Sequence, residues 1–443
     1  MRAATERRAV IPPAPTTTGT GGRTAPLIPA FAGGQAVNVR RHLVALRDFT
    51  RDEFGTSAAR PSEGHIQAVN ALLAKLRRPL EGAVSDLERV AREVEHGPAS
   101  TGQLHELLRR KSRAHDWVRA TERVWDFYFD VFGQRTQEPY NQWLLSCDRI
   151  ALDCYQHVYM HLGSNRSIPA PPPFTYMRTG FSPATYRRNI PLRKLGRQLN
   201  PFPLVQLPYH RLVNPWTMGA IMHEVSHNLQ NELGLEEAVP RSILRTFRAA
   251  GIDQRVAAIY GQWNREIFGD VMGCLLGGEA FVASLLDVIG RSPEQAMGFN
   301  PHGVHPTPYL RTFISTELLR RMGFPEAAAT YDKAWRRLYP STAGSNLPPA
   351  LVRTAKDAIP AVVEAVAFTR FPSLGDRSLR QVITFGPRHQ LMIEEAAQRL
   401  ARGTDPGVVP ERFLIGAVRI AVDRKLADPE RLMRNFYLEL SRR

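Results

Sequence analysis

Apolar residues in the first third of the chain recur every three to four positions, with charged residues between them. The pattern runs through three long segments, at 37–54, 64–97 and 101–133. This spacing places the apolar side chains on one face of an α-helix. A fourth helical segment begins near residue 140 and is predicted to end at Gly163, because glycine commonly follows the last turn of a helix.

The pattern changes after Gly163. Residues 164–202 are rich in proline and arginine, and the sequence PAPPPF within them excludes a long helix. The next stretch, FPLVQLPYHRL at 202–212, is rich in strand-forming residues, and Pro208 inside it predicts an edge strand. Helical periodicity returns after Gly323, in the segments 325–339, 348–370, 377–402, 409–425 and 428–441.

We therefore expect a mainly α protein with more than one packed unit, since 443 residues exceed the usual size of one core. The predicted regions are a disordered tail (1–34), an N-terminal helical region (35–163), a proline- and arginine-rich connection (164–202), a core region (203–322) and a C-terminal helical region (323–443). The tail is predicted from its Pro, Thr, Gly and Ala content and from its lack of an apolar signal segment.

The amino-acid composition limits the classes of partner and the cellular location that we expect for the protein. The formal net charge is +16, but only six residues are lysine and no nucleic-acid-binding motif accompanies the charge, so nucleic acid is not an expected partner. No run approaches 18 apolar residues, which predicts no membrane insertion. The three cysteines, Cys147, Cys154 and Cys274, are too few for a disulfide framework and are predicted to pack in the core. We expect a cytoplasmic protein, with export by a route without an N-terminal signal peptide as the alternative; the oligomeric state stays open.

One long segment contains no acidic residue. Between Tyr155 and His223 there are eight arginines or lysines and no aspartate or glutamate. The segment is either a solvated loop or a positive wall beside a cleft. In the second case, the cleft would favour acidic substrates.

The sequence MHEVSHNLQNELGL begins at Met222, inside a helix that Asn214 is predicted to cap, Pro215 to begin and Gly234 to end. Two of its histidines are four positions apart and therefore share one face of the helix.

His223 and His227 can thus aim imidazole nitrogens at one Zn²⁺ ion. Glu224 lies about 100° around the helix, beside the metal, where it can accept a proton from a zinc-bound water. This H-E-x-x-H spacing is typical of metallopeptidases, and a helix with two surface histidines is the alternative.

A catalytic zinc ion usually has three protein ligands and one position for water. Within WNREIFGDVMGCLLGGEAF (263–281), Glu266 is the predicted third ligand. Asp270 follows one helical turn later and can accept the second ring N–H of a ligand histidine, which fixes the tautomer of that ring.

The sequence HPTPYLR at 305–311 supplies further candidates. His305 can donate a hydrogen bond to the oxyanion that forms when water attacks an amide, and Tyr309 is a second candidate for this role. Arg311 could hold the segment by pairing with a carboxylate. The alternative is a simple helix start in which proline sets the turn.

A second histidine pair has the same spacing. His157 and His161 lie four positions apart in HVYMH, without an adjacent glutamate, although Asp153 precedes them by one turn. Packing near a helix end is the prediction for this pair, and a second metal site is the alternative.

The motifs HEVSH, EIFGD and HPTPYLR, in this order, resemble HExxH, ExxAD and HPxxxxR of the gluzincin metallopeptidases. The likeness is to the family of the CAAX-prenyl endopeptidase and the heat-shock protease HtpX, and it covers about residues 202–315. The resemblance implies zinc binding by His223, His227 and Glu266, a general base at Glu224, an orienting role for Asp270, and His305 and Arg311 at the edge of the site.

The resemblance also implies a mainly helical gluzincin core with a short sheet whose edge strand, about 203–208, aligns an extended substrate. We therefore expect the core region, 203–322, to be a metallopeptidase core. The sequence departs from the family at Gly269, where alanine is usual, and in lacking the membrane-spanning helices that many relatives have.

The leading prediction is a soluble, zinc-dependent metallopeptidase that hydrolyses peptide bonds in a peptide or protein substrate through a zinc-bound water, with Glu224 as general base. Two alternatives stay open. One is a non-catalytic helical binding module with a structural or vestigial zinc site, and the other is a binder of anionic polymers.

Overall fold

The computed structural model describes residues 27–163 and 166–443. Helices account for 69% of the structure and strands for 5%, so the predicted mainly α class is confirmed. The chain divides into two compact units. The first includes residues up to Asp48 together with Leu73–Trp125, and the second includes Phe49–Leu72 and Asp126–Arg443. The predicted region 35–163 is therefore shared between the two units.

Seventeen α-helices and seven strands lie in the described residues. The helices are α1 (Leu27–Ala45), α2 (Glu63–Glu95), α3 (Thr101–Gly133), α4 (Tyr140–Leu162), α5 (Tyr209–Leu212), α6 (Gly219–Glu232), α7 (Ala238–Ala249), α8 (Gln254–Gln262), α9 (Asn264–Ile289), α10 (Pro293–Ala296), α11 (Pro308–Arg321), α12 (Pro325–Leu338), α13 (Pro349–Val363), α14 (Leu379–Val382), α15 (Pro387–Arg402), α16 (Phe413–Asp423) and α17 (Pro429–Arg442). The strands are β1 (Phe174–Met177), β2 (Ala184–Tyr186), β3 (Pro191–Leu192), β4 (Gln198–Leu199), β5 (Leu204–Leu207), β6 (Arg370–Phe371) and β7 (Arg377–Ser378).

The first unit is a small helical assembly built on α1 and on parts of α2 and α3. Its core is a continuous apolar cluster that includes Ala32 and Val39 from α1. Residues 27–34, which the sequence analysis assigns to a disordered tail, belong to α1, because Ala32 is fully buried in this cluster. The rest of the predicted tail, 1–26, lies outside the described residues.

The predicted helix at 37–54 is interrupted. Helix α1 ends at Ala45, and a short 3₁₀ turn covers Arg51–Phe54. Between them, the side-chain amide of Asn70 pairs with both the N–H and the carbonyl of Phe49 at 2.9 Å. These bonds replace the ones that a continuous helix would give to the backbone of Phe49. Helices α2, α3 and α4 keep nearly their predicted bounds, and Gly163, with φ of 103°, follows the end of α4.

A three-stranded sheet in the second unit has the order β1–β5–β2, with β1 parallel and β2 antiparallel to β5. The prediction of an edge strand at 203–208 is therefore wrong, since β5 lies in the centre and β2 is an edge. Pro208 follows the last residue of β5, so it removes no ladder hydrogen bond. The apolar residues Leu204, Val205 and Leu207 are fully buried, as a central strand requires.

Two predicted C-terminal helices are divided. The segment 348–370 forms α13 and then one π-helical turn at Glu364–Phe368. The segment 377–402 forms a short strand, α14 and α15, because Pro387 begins a new helix and cannot continue an old one.

The core of the second unit is one continuous apolar cluster with α9 at its centre. Within the described residues, α9 is long and apolar enough to cross a membrane, but 78% of its most apolar 18-residue window is buried inside the protein. Charged residues interrupt its apolar run, so a search for uninterrupted runs misses it. Cys147, Cys154 and Cys274 are buried and free, which confirms their prediction as packing residues.

Candidate metal centre

Helix α6 carries the first motif in its middle. A 3₁₀ turn at Pro215–Thr217 precedes the helix, and Gly234, with φ of 67°, follows its end as predicted. Asn214 does not cap it as predicted, because the Asn214 side chain instead donates a hydrogen bond to the carbonyl of His210 at 2.7 Å.

Helix α9 approaches α6 closely because of two glycines. A Cβ atom built on Gly269 would lie 2.7 Å from the ring of His223, and one on Gly277 would lie 2.6 Å from the sulfur of Met222. Both distances are too short for a real side chain. The absence of side chains at these positions lets Glu266, on the same helix, come near the histidines of α6.

Three ligand atoms from the two helices converge. The two Nε2 atoms of His223 and His227 are 3.1 Å apart. The carboxylate of Glu266 lies 3.3 Å from Nε2 of His223 and 3.6 Å from Nε2 of His227. The three residues form the one group of potential metal ligands found among the described residues.

These separations fit zinc. Bonds of roughly 2.0–2.1 Å in a tetrahedron place neighbouring ligand atoms about 3.3 Å apart. The 3.3 Å distance is to Oε2 of Glu266 and the 3.6 Å distance is to Oε1, so the two nitrogens and this carboxylate could together supply three corners of such a tetrahedron. The fourth corner would be left for solvent or substrate. The donor set of two imidazoles and one carboxylate is also one that catalytic zinc prefers.

Comparison with protein-family models, with curated proteins and with solved structures finds no match to this chain. The geometry and the chemistry of the residues themselves therefore carry the argument about function.

Asp270 lies directly behind His223. Its Oδ1 is 3.0 Å from Nδ1 of His223, although the ring N–H does not point straight at this oxygen. Both oxygens of Asp270 accept hydrogen bonds from Arg311, at 2.7 and 2.8 Å. All three side chains are buried. Arg311 thus holds Asp270, and Asp270 in turn holds the ring of His223.

The other two candidate residues of HPTPYLR, His305 and Tyr309, lie in different places. His305 is two-thirds exposed, and its Nε2 lies 3.4 Å from Glu266 at the edge of the centre. Tyr309 does not join the group, because its ring packs against Phe313 and lines a separate groove. Residues two positions apart on a helix point about 200° away from each other, so Arg311 and Tyr309 point in different directions. The prediction of Tyr309 as a catalytic residue finds no support in this geometry.

Burial and charge shift the pKa values of the centre. Burial, together with the neighbouring Glu266, raises the pKa of Glu224 to about 7. Burial and the nearby His223 lower the pKa of His227 to about 3, so His227 is neutral and free to bind a metal. Burial opposes ionisation of Glu266, but the hydrogen bond and charge of His223 outweigh it and lower the pKa of Glu266.

His223 shows that the centre favours a cation. Burial alone would lower its pKa, but Asp270 and Glu266 outweigh burial and raise the pKa of His223 to about 10. The same two carboxylates that attract a proton to this ring would attract a metal ion in its place, because metal binding at such sites displaces protons.

The cleft beside the centre has walls that the motifs do not reveal. Ser182, Pro183 and the first residues of β2 line it opposite His223 and Glu224. The buried side chain of Asn228 donates a hydrogen bond to Oγ1 of Thr185 at 2.6 Å, which fixes β2 against α6. No sequence motif indicates Thr185, and the one sequence signal for Asn228 is its position directly after HEVSH. Ser182, Pro183 and β2 belong to the segment between Tyr155 and His223 that contains no acidic residue, so this segment does border a cleft.

Among the residues that the structure describes, no carboxylate joins the second histidine pair, His157 and His161. Asp153 is bound by the guanidinium of Arg412 at 2.9 Å and also accepts a hydrogen bond from the backbone N–H of Arg412. His161 contacts the backbone carbonyl of His157 through Nδ1 at 2.6 Å. The pair packs at the end of α4.

Proposed function

We propose that the protein is a zinc-dependent metallopeptidase with a gluzincin-like core. The observation that carries this proposal is the convergence of His223, His227 and Glu266 from two helices at the spacing of zinc ligands, with Glu224 in the same cleft. Zinc held by these residues would polarise the scissile carbonyl and lower the pKa of a water molecule in its open position.

Glu224 supplies the proton transfers. It lies in the cleft beside the proposed zinc ligands, where it can accept a proton from the attacking water and pass it to the leaving amine as the C–N bond breaks. His305 is exposed at the rim of the cleft, where its ring can donate a hydrogen bond to the oxyanion of the tetrahedral intermediate. No covalent bond to the protein is required in this scheme.

The cleft also fits an extended peptide. Strand β2 pairs with β5 on one side, and the residues Ser182–Thr185 line the cleft, so a substrate can add to the free edge of β2. Next to the centre, Phe281, Leu285 and Val288 help to line a cavity of about 110 Å³. Cavities of roughly 150 Å³ accept a benzene-sized molecule, so this cavity suits one apolar side chain.

The test measures bound zinc and peptide hydrolysis in the wild type and in Glu224→Gln. We expect the variant to keep its zinc and to lose hydrolysis by at least about 10²-fold, since it removes the base and leaves the ligands. Glu279→Gln is the matched control, because Glu279 is a partly buried glutamate of α9 that does not line the cleft.

Two outcomes would contradict the proposal. A wild-type protein that binds zinc but cleaves nothing in a broad peptide library would favour the non-catalytic binding module. Equal loss of hydrolysis in Glu224→Gln and Glu279→Gln would show that the loss reflects folding and not the base.

A further inference from the structure

Two arginines lie at one end of the cleft. Arg187, directly after β2, and Arg265, directly before Glu266, both line the cavity of about 490 Å³ that contains His227. Both guanidinium groups contact Glu236, the one from Arg265 at 3.4 Å. Two positive charges therefore share one carboxylate, and this end of the cleft carries a net positive charge.

Much of the hydrogen-bonding capacity of these arginines is unused. A guanidinium offers five N–H donors, and within the described part of the chain the side chains of Arg187 and Arg265 donate hydrogen bonds to Glu236 alone. The Arg265 side chain is 53% exposed and that of Arg187 is 17% exposed. The acidic residues that line this cavity are Glu224 and Glu266, both committed to the metal centre.

The backbone beside Arg187 is held in place. The buried side-chain amide of Asn200 donates hydrogen bonds to the carbonyls of Tyr186 and Arg187, at 2.8 and 3.3 Å. The next residue, Arg188, binds Glu232 of α6 at 3.1 Å. Arg187 is thus carried by a fixed strand end, whereas the guanidinium of Arg265 can adjust to a ligand.

We propose that Arg187 and Arg265 form a subsite for an acidic side chain of the substrate, N-terminal to the bond that is cleaved. This inference rests on the proposed peptidase function and assigns it a substrate class. Arginine is suited to the task because its planar fork binds carboxylates through two parallel hydrogen bonds.

The direction of the substrate follows from β2. Antiparallel pairing is slightly more stable per residue than parallel pairing, so we take the substrate to run antiparallel to β2. Its upstream residues then lie near Arg187, and its downstream residues lie near Pro183 and the apolar cavity. With about 3.3 Å per strand residue, the acidic side chain would stand roughly two to four residues before the cleaved bond.

The experiment compares matched peptides that carry Glu, Gln or Lys at each upstream position and a fixed apolar residue after the cleaved bond. We expect wild-type kcat/KM to be about tenfold higher for Glu than for Gln at one of these positions. Arg265→Gln should abolish this preference, and Arg265→Glu should shift it toward Lys. Arg255→Gln, which removes an exposed arginine on α8, should leave it intact.

The outcomes separate the two proposals. Efficient cleavage of Glu and Gln peptides at equal rates would overturn the acidic subsite and leave the peptidase function standing. If the wild type cleaves no peptide, the proposed function fails, and binding of the same peptides to the zinc-loaded protein, measured by fluorescence anisotropy, decides the subsite. Equal affinity for the Glu and Gln peptides would then overturn it, and tighter binding of the Glu peptide that is lost in Arg265→Gln would support it.

Discussion

The second unit contains two histidine pairs with the same spacing along a helix and nearly the same distance between their rings, but with different surroundings. The ring centroids are 4.7 Å apart in the pair His223–His227 and 4.6 Å apart in the pair His157–His161. The first pair faces Glu266 from a second helix. The nearest carboxylate along the helix from the second pair, that of Asp153, is already bound to Arg412, and no other joins this pair within 27–163 and 166–443. Spacing along a helix brings two ligands together, but a neighbouring element decides whether they can become a metal site.

The largest expected difference between the two pairs is in zinc binding. His223→Ala removes one of the three proposed ligands and should lower zinc affinity on the order of 10³-fold, since a tightly held zinc ion gains roughly 10–16 kcal/mol from all its ligands. His157→Ala should leave zinc affinity unchanged. Competition with a chromogenic chelator measures both affinities. Similar losses of zinc affinity in the two variants would mean that the first pair binds zinc no more directly than the second.

A second difference concerns the two buried aspartates behind the pairs. Asp270→Asn should lower zinc affinity by about 10- to 100-fold, because the amide no longer holds His223 as the carboxylate does. The variant also removes the carboxylate that accepts both hydrogen bonds of Arg311 and leaves Glu266, at 3.9 Å, as its nearest remaining ion-pair partner. Breaking such a buried pair costs about 3–5 kcal/mol in the free energy of unfolding.

Asp153→Asn is the matched control for this prediction. Asp153 is also buried and binds a buried arginine, Arg412, so its loss should destabilise the protein by a similar amount. Zinc affinity should stay at the wild-type value. Urea unfolding and chelator competition on both variants separate the two effects, and a fall in zinc affinity in Asp153→Asn would show that Asp270 acts only through stability.

The contrast between the two histidine pairs also separates the features that could be predicted from the sequence from those that could not. Helices α6 and α9, and the positions of Glu224 and Glu266 on them, could be predicted from apolar periodicity and motif spacing. Both signals depend only on residues that are close in the sequence. The order of the sheet depends on pairing between distant segments, so the central position of β5 could not be read from Pro208. Tyr309 was grouped with Arg311 by the motif, although helix geometry separates their directions by about 200°. The cleft wall at Arg187 belongs to a segment without any motif.

A third difference concerns pH. Burial and the nearby Arg412 lower the pKa of His157 to about 3 in the folded protein, whereas an unfolded histidine has a pKa of about 6.5. The unfolded state therefore binds more protons below pH 6.5, and folding stability falls as the pH drops from about 6.5 toward 3. At pH 5 this residue should cost at most about 2 kcal/mol relative to pH 7.5.

His157→Gln should remove this contribution. The difference in the free energy of unfolding between pH 7.5 and pH 5 should then be smaller in the variant than in the wild type. Urea denaturation of both proteins at both pH values measures it. Identical pH dependence in the two proteins would mean that His157 is protonated as easily in the folded state as in the unfolded one.

The smallest predicted effect tests why the second helix can reach the first pair. In Gly269→Ala the new methyl group would stand 2.7 Å from the His223 ring, so the ring must move, and we expect zinc affinity to fall by about tenfold. Alanine is favoured over glycine in a helix by up to about 1 kcal/mol, and this gain offsets the cost of moving the His223 ring, so the stability of the zinc-free protein should change little. The fall in zinc affinity is therefore expected without a matching change in stability, and the two quantities can be measured separately.

Gly261→Ala is the control for helix propensity. A methyl group there meets only Leu244, at an ordinary 3.8 Å, so this variant should keep its zinc affinity and gain slightly in stability. The result for Gly269→Ala also bears on the resemblance to the gluzincin family, in which alanine is usual at this position. If Gly269→Ala binds zinc as tightly as the wild type, the ring of His223 has room to turn, and the close approach of α9 is not what holds the first pair in its ligand geometry. If its affinity falls while that of Gly261→Ala does not, the missing methyl group is what lets this chain set His223 against α9, and the difference between the two histidine pairs begins at a single glycine.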